Sequence, residues 1–370
     1  MLTRRRRFAV LVAVIALVAV AAACGGDDDT TAAGRSDVLK VAFVYVSPIG
    51  QAGWSHRHDE GRKAVERALG DRVETTYLES VPEGAQAERV FEDLARKGFR
   101  LIFGTSFGYM DPMVAAARKY PNTIFMHASG FKTAKNLGTY FGAAEEGRYL
   151  TGIAAGRATK TGKIGYVAAF PIPEVLRGID AFTLGVRSVR PDATVRVAWT
   201  SNWSSPDIEK QAAESLLAAG ADVLTQHQDT PATGEAAEAA GAKWVGYHDD
   251  MSAFAPTGWL TASMWDWGPF YVKTAKQVLD GTWKSGQYYG DMADGLVKLA
   301  PFGPSVDDAT KQLIADREKA IEDGSFAPFN GPITDQAGRE RIPAGTSASL
   351  ADLLSIDYLV QGVVGDIPTS

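Results

Sequence analysis

The chain has a single cysteine, Cys24, in 370 residues. One thiol excludes an intrachain disulfide and a cysteine-based zinc site. Positive charge is not in excess: 38 Lys and Arg stand against 44 Asp and Glu, for a net charge of −6. That balance argues against nucleic acid as the main partner. Histidines number five (His56, His58, His127, His227, His248), and none lies in an H-E-x-x-H or comparable metal motif. Neither G-x-G-x-x-G after the first strand nor a P-loop occurs, so no phosphate-cradling glycine loop is present. No cofactor and no metal is expected. The longest apolar run, residues 9–23, ends abruptly and is short for a membrane span.

That run has a different use. It follows the basic segment MLTRRRRF and ends in Ala21-Ala22-Ala23-Cys24, which resembles a bacterial lipobox. Residues 1–23 therefore read as a signal peptide, cleaved before a cysteine that becomes acylated. An acylated Cys24 is no nucleophile. The small, acidic stretch that follows, residues 24–37, lacks a hydrophobic period and reads as a flexible tether. The four arginines at 4–7 also fit twin-arginine export.

The remainder, 45% hydrophobic and 22% charged over the whole chain, suffices for two compact lobes. Its key stretch is residues 40–61, KVAFVYVSPIGQAGWSHRHDEG. Val41 to Val46 are apolar on both faces, as in the buried centre of a parallel sheet. Pro48, Gly50 and Gly53 break the strand, and a helix is predicted over 55–68. Further strands are predicted at 73–78, 101–103 and 123–126, alternating with helices at 85–97 and from Asp111-Pro112. After a helix at 145–159 the same grammar repeats: strands at 163–167, 194–199, 223–226 and 244–247, with helices at 173–189, 206–219 and 233–240. Such regular alternation predicts an α/β chain of two Rossmann-like lobes. Lobe 1 takes residues 38–144 plus about 266–295, and lobe 2 takes 145–265 plus about 296–370, with the crossings forming a hinge.

Ligands of open α/β sheets collect at the carboxyl ends of strands. Those ends are rich in rings and acids here. The first half offers Trp54 with Ser55, then Phe107, Tyr109 and His127. The second offers Phe170, Trp203, His227, Asp229, His248, Asp249, Trp265 and Asp266. Ring faces at loop ends suit a planar heteroaromatic ligand, and carboxylates and imidazoles can read its polar edge. An enzyme using Asp229, His248 or Asp249 is the competing class. Gly104-Thr105-Ser106-Phe107-Gly108 has the form G-x-S-x-G, which in a hydrolase must be a strained strand-to-helix elbow. His56 and His58, beside charged residues, read as a solvated helix turn.

The order of blocks GTSFGYMDP, GTYFGAAEEGRYLTGIAAG, KIGYVAAFPIPEV, TSNWSSP, GYHDDM and VLDGTWKSG, together with the opening strand and lipobox, resembles the basic membrane protein family. These are ABC-transporter substrate-binding lipoproteins that include purine nucleoside receptors, and the resemblance spans about residues 38–365. It implies the type I periplasmic-binding-protein fold, a ligand cleft between the lobes, and a monomeric receptor on the extracytoplasmic face of the membrane. A membrane permease would be its partner, and no chemistry would be done on the ligand. The family's S-F-N aromatic, which stacks on the purine, corresponds to Trp54 in Gly53-Trp54-Ser55. Its second stacking aromatic corresponds to Trp203 in Asn202-Trp203-Ser204-Ser205-Pro206. Where nucleoside receptors carry G-V-D-x-D-Q, this chain has Gly246-Tyr247-His248-Asp249-Asp250-Met251, and Asp266 stands in place of a lysine. These departures shift the expected ligand from a purine nucleoside to a free, adenine-like base. A surface hydrolase, or a sensor or adhesin that has lost transport, are the remaining readings.

Overall fold

The structure, a computed structural model, describes residues 38–369. The segments predicted as signal peptide and tether, with Cys24, lie outside the described residues. Among the described residues no helix is long and apolar enough to cross a membrane.

The first half runs β1 (Leu39–Val44), α1 (Trp54–Leu69), β2 (Val73–Leu78), α2 (Ala85–Arg96), β3 (Leu101–Gly104), α3 (Met110–Lys119), β4 (Ile124–Ala128) and β5 (Leu137–Gly142). The second runs α4 (Ala144–Ala158), β6 (Lys163–Ala168), α5 (Pro173–Val189), β7 (Thr194–Trp199), α6 (Pro206–Ala218), β8 (Val223–Gln226), α7 (Ala232–Ala239), β9 (Lys243–His248) and β10 (Trp259–Trp265). Helix α8 (Gly268–Leu279), β11 (Gln287–Gly290), β12 (Val297–Leu299) and α9 (Asp308–Glu322) follow. The apolar β1 is flanked by parallel β2 and β3, so both its edges and both its faces are covered.

One sheet is ordered β11-β5-β4-β3-β1-β2, the other β12-β10-β9-β8-β6-β7 with an edge strand at Val363–Val364. Counted from its own first strand, each lobe has the order 2-1-3-4-5. The chain direction therefore reverses between β1 and β3 in one lobe and between β6 and β8 in the other. A crevice opens at each such point, outside the carboxyl ends of the strands. The two sheets are joined by three crossings: β5 into α4, β10 into α8, and β11 into β12.

Strands β5 and β10 are among those with no counterpart in the periodicity. β5 is buried at all six positions and contains two glycines, so it shows no alternation. β10 is nearly as buried and mixes tryptophan with Thr, Ala and Ser. Strands covered on both faces carry no polar–apolar rhythm to detect.

The first and third crossings are tied by a hydrogen bond. Glu146, in the first turn of α4, accepts the Met292 N–H at 2.9 Å. Burial pushes its carboxyl up to about 8, with Glu145, Asp291 and Glu322 adding repulsion and the Met292 bond opposing. The folded chain thus holds a proton that the unfolded chain releases near the usual value of about 4.3. The stability this contributes is complete below the unfolded pKa and is lost as pH rises through 8. Thermal melts between pH 6 and 9 are expected to show a falling midpoint, less steep in Glu146→Gln; identical slopes would refute the assignment.

Candidate functional site

The two crevices face each other across a narrow cavity lined from both lobes. Lobe 1 lines it with Val46 beyond β1, Trp54 at the start of α1, Ser106 and Phe107 beyond β3, and Ser129 beyond β4. Lobe 2 contributes Glu174 from the first turn of α5, Trp203 beyond β7, His227 and Asp229 beyond β8, and His248 at the end of β9. Ser129, Ser201 and His248 hold positive φ angles of 61°, 51° and 73°. Ser129 and His248 line the cavity, where strain commonly accompanies a site, and Ser201 lies two residues before Trp203.

Trp54 is 8% exposed, and its Nε1–H donates to the Thr105 carbonyl at 2.7 Å. Behind it stands an aromatic wall. His58 meets its ring edge-on at 4.1 Å, and Trp265 and Trp267 lie at 6.1 and 5.7 Å. His58 is fully buried, stacked on Trp267 at 4.8 Å and bonded through Nδ1 to the Tyr271 hydroxyl at 2.5 Å. The expected solvated turn is therefore wrong for His58, because its side of α1 packs on α8. Across the cavity the half-buried Trp203 ring meets Phe170 at 4.9 Å, and its Nε1 has no protein partner.

Asp229 reaches from lobe 2 into lobe 1. Its carboxylate accepts the Trp54 N–H and the Ser47 hydroxyl, and Ser47 in turn meets the Ser55 hydroxyl at 2.6 Å. Burial pushes Asp229 up to about 6 against these hydrogen bonds. Asp249 grips the same turn from the other side, with His56 Nδ1 at 2.6 Å, the Gly53 N–H at 3.4 Å and Arg57 Nη1 at 3.6 Å. Two lobe-2 carboxylates thus meet the amino end of a lobe-1 helix, where unpaired N–H groups and the helix dipole favour negative charge.

The imidazoles are held neutral. Trp265 Nε1–H donates to His248 Nδ1 at 3.0 Å, so the His248 proton is on Nε2 and donates to the His227 carbonyl at 3.0 Å. Burial holds His248 well below the usual histidine range. His127 donates from Nε2 to the Ser106 carbonyl at 2.7 Å, and burial pushes it down to about 4. His227 is also lowered by burial, against Glu174, whose Oε1 lies 3.5 Å from Nε2.

Of the residues predicted for the cleft, Trp54, Phe107, Trp203, His227, Asp229 and His248 line the cavity. Ser55, His127, Phe170 and Trp265 stand directly behind those residues. Asp249 is committed to the helix α1 turn. Two lie elsewhere. Tyr109 is fully buried in lobe 1, where its hydroxyl donates to the Val81 carbonyl at 2.5 Å and its ring meets Phe91 edge-on. Asp266 turns outward to Lys298 at 2.7 Å. Glu174, Ser106, Ser129 and Val46 were not predicted. Glu174 carried the clearest signal, an acid in the first turn of a helix just past a strand's carboxyl end.

Ser106 has the extended backbone φ −147°, ψ 148°, and its hydroxyl donates to Glu83 at 2.5 Å. The nearby imidazole of His127 bonds its carbonyl, not its hydroxyl. This is no strained nucleophile elbow. Among the described residues, no group of three or more His, Cys, Asp or Glu could hold a metal ion.

A family model for ABC transporter substrate-binding proteins of the PnrA-like type matches residues 38–330. The chain belongs to this Bmp family. A purine-binding protein of Brucella abortus is 46% identical, over 91% of this chain and 96% of its own. A Haloferax volcanii protein provisionally named for glucose binding is 40% identical, over 90% of this chain and 82% of its own. A solute-binding protein of an Aeropyrum pernix ABC transporter shares the fold, with a TM-score of 0.69 over 82% of this chain and 94% of its own at 18% identity. As a Bmp protein the chain is an extracytoplasmic substrate-binding protein that hands a small molecule to a membrane permease.

Proposed function

We propose that the cleft captures a free purine base, adenine-like, and delivers it unchanged to an ABC permease. The observation that carries this reading is the pair of indoles, Trp54 and Trp203, lining one cavity from opposite lobes. Two such rings can sandwich a planar heterocycle, and stacking asks no charge of the ligand. Glu174 and Asp229 would accept from ring N–H and exocyclic amino groups. The acids that a ribose would call on are engaged elsewhere, Asp249 by His56 and Arg57 and Asp266 by Lys298, which favours base over nucleoside. The 46% identity to a purine-binding protein supports the ligand class.

The ligand would stabilise the closed lobes through contacts to both, and the permease would recognise that form. The receptor would work as a monomer, held at the membrane by an acyl chain on Cys24. Calorimetric titration of protein freed of co-purified ligand, with adenine, guanine, adenosine, inosine, ribose and glucose, tests the specificity. Tight adenine binding with weak adenosine and no glucose binding is expected; preference for the nucleoside or glucose overturns the reading. Cys24→Ala should move the protein from the membrane to the soluble fraction, and continued membrane association would rule out the acyl anchor.

A further inference from the structure

Helix α5 contains two interior glycines of different kinds. Gly185 is needed for packing, since a Cβ there would overlap the Tyr149 carbonyl group of α4. Gly178 is not. The heavy atoms nearest to a Cβ at Gly178 would be Tyr166 Oη at 3.5 Å, Arg148 Nε at 3.8 Å and His227 Nδ1 at 3.9 Å, all ordinary contact distances. Alanine would therefore fit, and it suits a helix interior better than glycine does. Yet those same three atoms are all buried and all without a hydrogen-bond partner in the protein. Buried polar atoms are almost always satisfied, so three orphans around one small space point to a shared partner.

Their chemistry says what that partner is. Arg148 is fully buried; its other nitrogens donate to the Gln226 carbonyl at 2.5 Å and Thr225 Oγ1 at 3.4 Å, and its Nε–H can only donate. His227 faces the Glu174 carboxylate through Nε2 at 3.5 Å, which places its proton there and leaves Nδ1 as an acceptor. Tyr166 Oη serves either way. One donor, one acceptor and one hydroxyl are what a water molecule satisfies, whereas an anion would face the His227 lone pair.

We propose that a single buried water sits beside Gly178, accepting from Arg148 Nε–H, donating to His227 Nδ1 and bonding Tyr166 Oη. It fixes the His227 tautomer that presents Nε2–H to Glu174 on the cavity wall. Arg148 and Gly178 are then positioning residues, acting on the cleft through this water and His227. Nothing in the assignment depends on which ligand the cleft takes.

A crystal structure at a resolution that shows ordered water, with ¹⁵N spectra of the His227 ring, is the test, on the wild type and Gly178→Ala. The wild type is expected to show one water within hydrogen-bond distance of all three atoms, and a ring protonated at Nε2. Gly178→Ala should lose the water, shift the His227 nitrogens and melt a few degrees lower despite its better helix propensity. Lack of density in the wild type overturns the proposal. So does a higher melting point in Gly178→Ala with unchanged ring nitrogens, or an anomalous bromide peak at this point in soaked crystals. Should the variant not fold, the wild-type density and tautomer decide alone.

Discussion

Trp203→Ala is expected to weaken ligand binding by roughly 10- to 100-fold, with a melting temperature near that of the wild type. Stacking of a base on an aromatic ring is worth about 1–3 kcal/mol, which is that range of affinity. Trp203 is the cleaner of the two indoles to remove. It is half-buried, its ring contacts are with Phe170 and His227, and its Nε1 bonds nothing in the protein. Trp54 serves the fold as well, through its bond to Thr105 and its contacts with His58, Trp265 and Trp267. Truncating a buried indole costs about 3–5 kcal/mol of stability, so lost binding in Trp54→Ala would mix two causes. Titration and thermal melts of Trp203→Ala and Trp203→Phe separate them. The phenylalanine variant should recover much of the affinity. An unchanged dissociation constant in the alanine variant would end the sandwich reading.

How far the sequence exposes such a site depends on what sets each side chain's direction. The carboxyl edges of the strands were legible, because breaks after apolar runs mark where strands end, and six of the predicted cleft residues do line the cavity. Direction within an edge was not. Phe107 and Tyr109 fall in one turn of 3₁₀ helix, Phe107–Tyr109, whose three residues per turn send neighbouring side chains apart. One faces the cavity and the other fills the core. Trp265 and Asp266 differ for the same kind of reason: successive residues of an extended segment point to opposite sides, so the indole goes inward and the acid goes to Lys298. Nor could the sequence show that Asp229 and Asp249 would meet helix α1. Contacts between lobes depend on how two folded halves close, and no local pattern encodes that.

Gly53→Ala is the sharpest test of that closure, because it touches no ligand. Gly53 has φ 111° and ψ −165°, in a region that is essentially glycine's alone. Its missing side chain also leaves room for the other lobe: a Cβ would overlap the Asp229 carbonyl and carboxylate oxygens. The clash exists only where lobe 2 closes on the amino end of α1, so the open receptor escapes it. A penalty of about 3 kcal/mol on the closed form lowers its population, and hence the apparent affinity, by roughly 100-fold. Small-angle scattering with saturating ligand should give a larger radius of gyration than the wild type at equal concentration, and the backbone strain of alanine at this φ, shared by open and closed forms, should lower the melting temperature with or without ligand. Relative preference among ligands should be preserved, since every one of them pays the same closing cost. If Gly53→Ala instead binds and compacts like the wild type, the approach of Asp229 to α1 is not part of the ligand-binding form, and the cavity between Trp54 and Trp203 loses its claim to be the site.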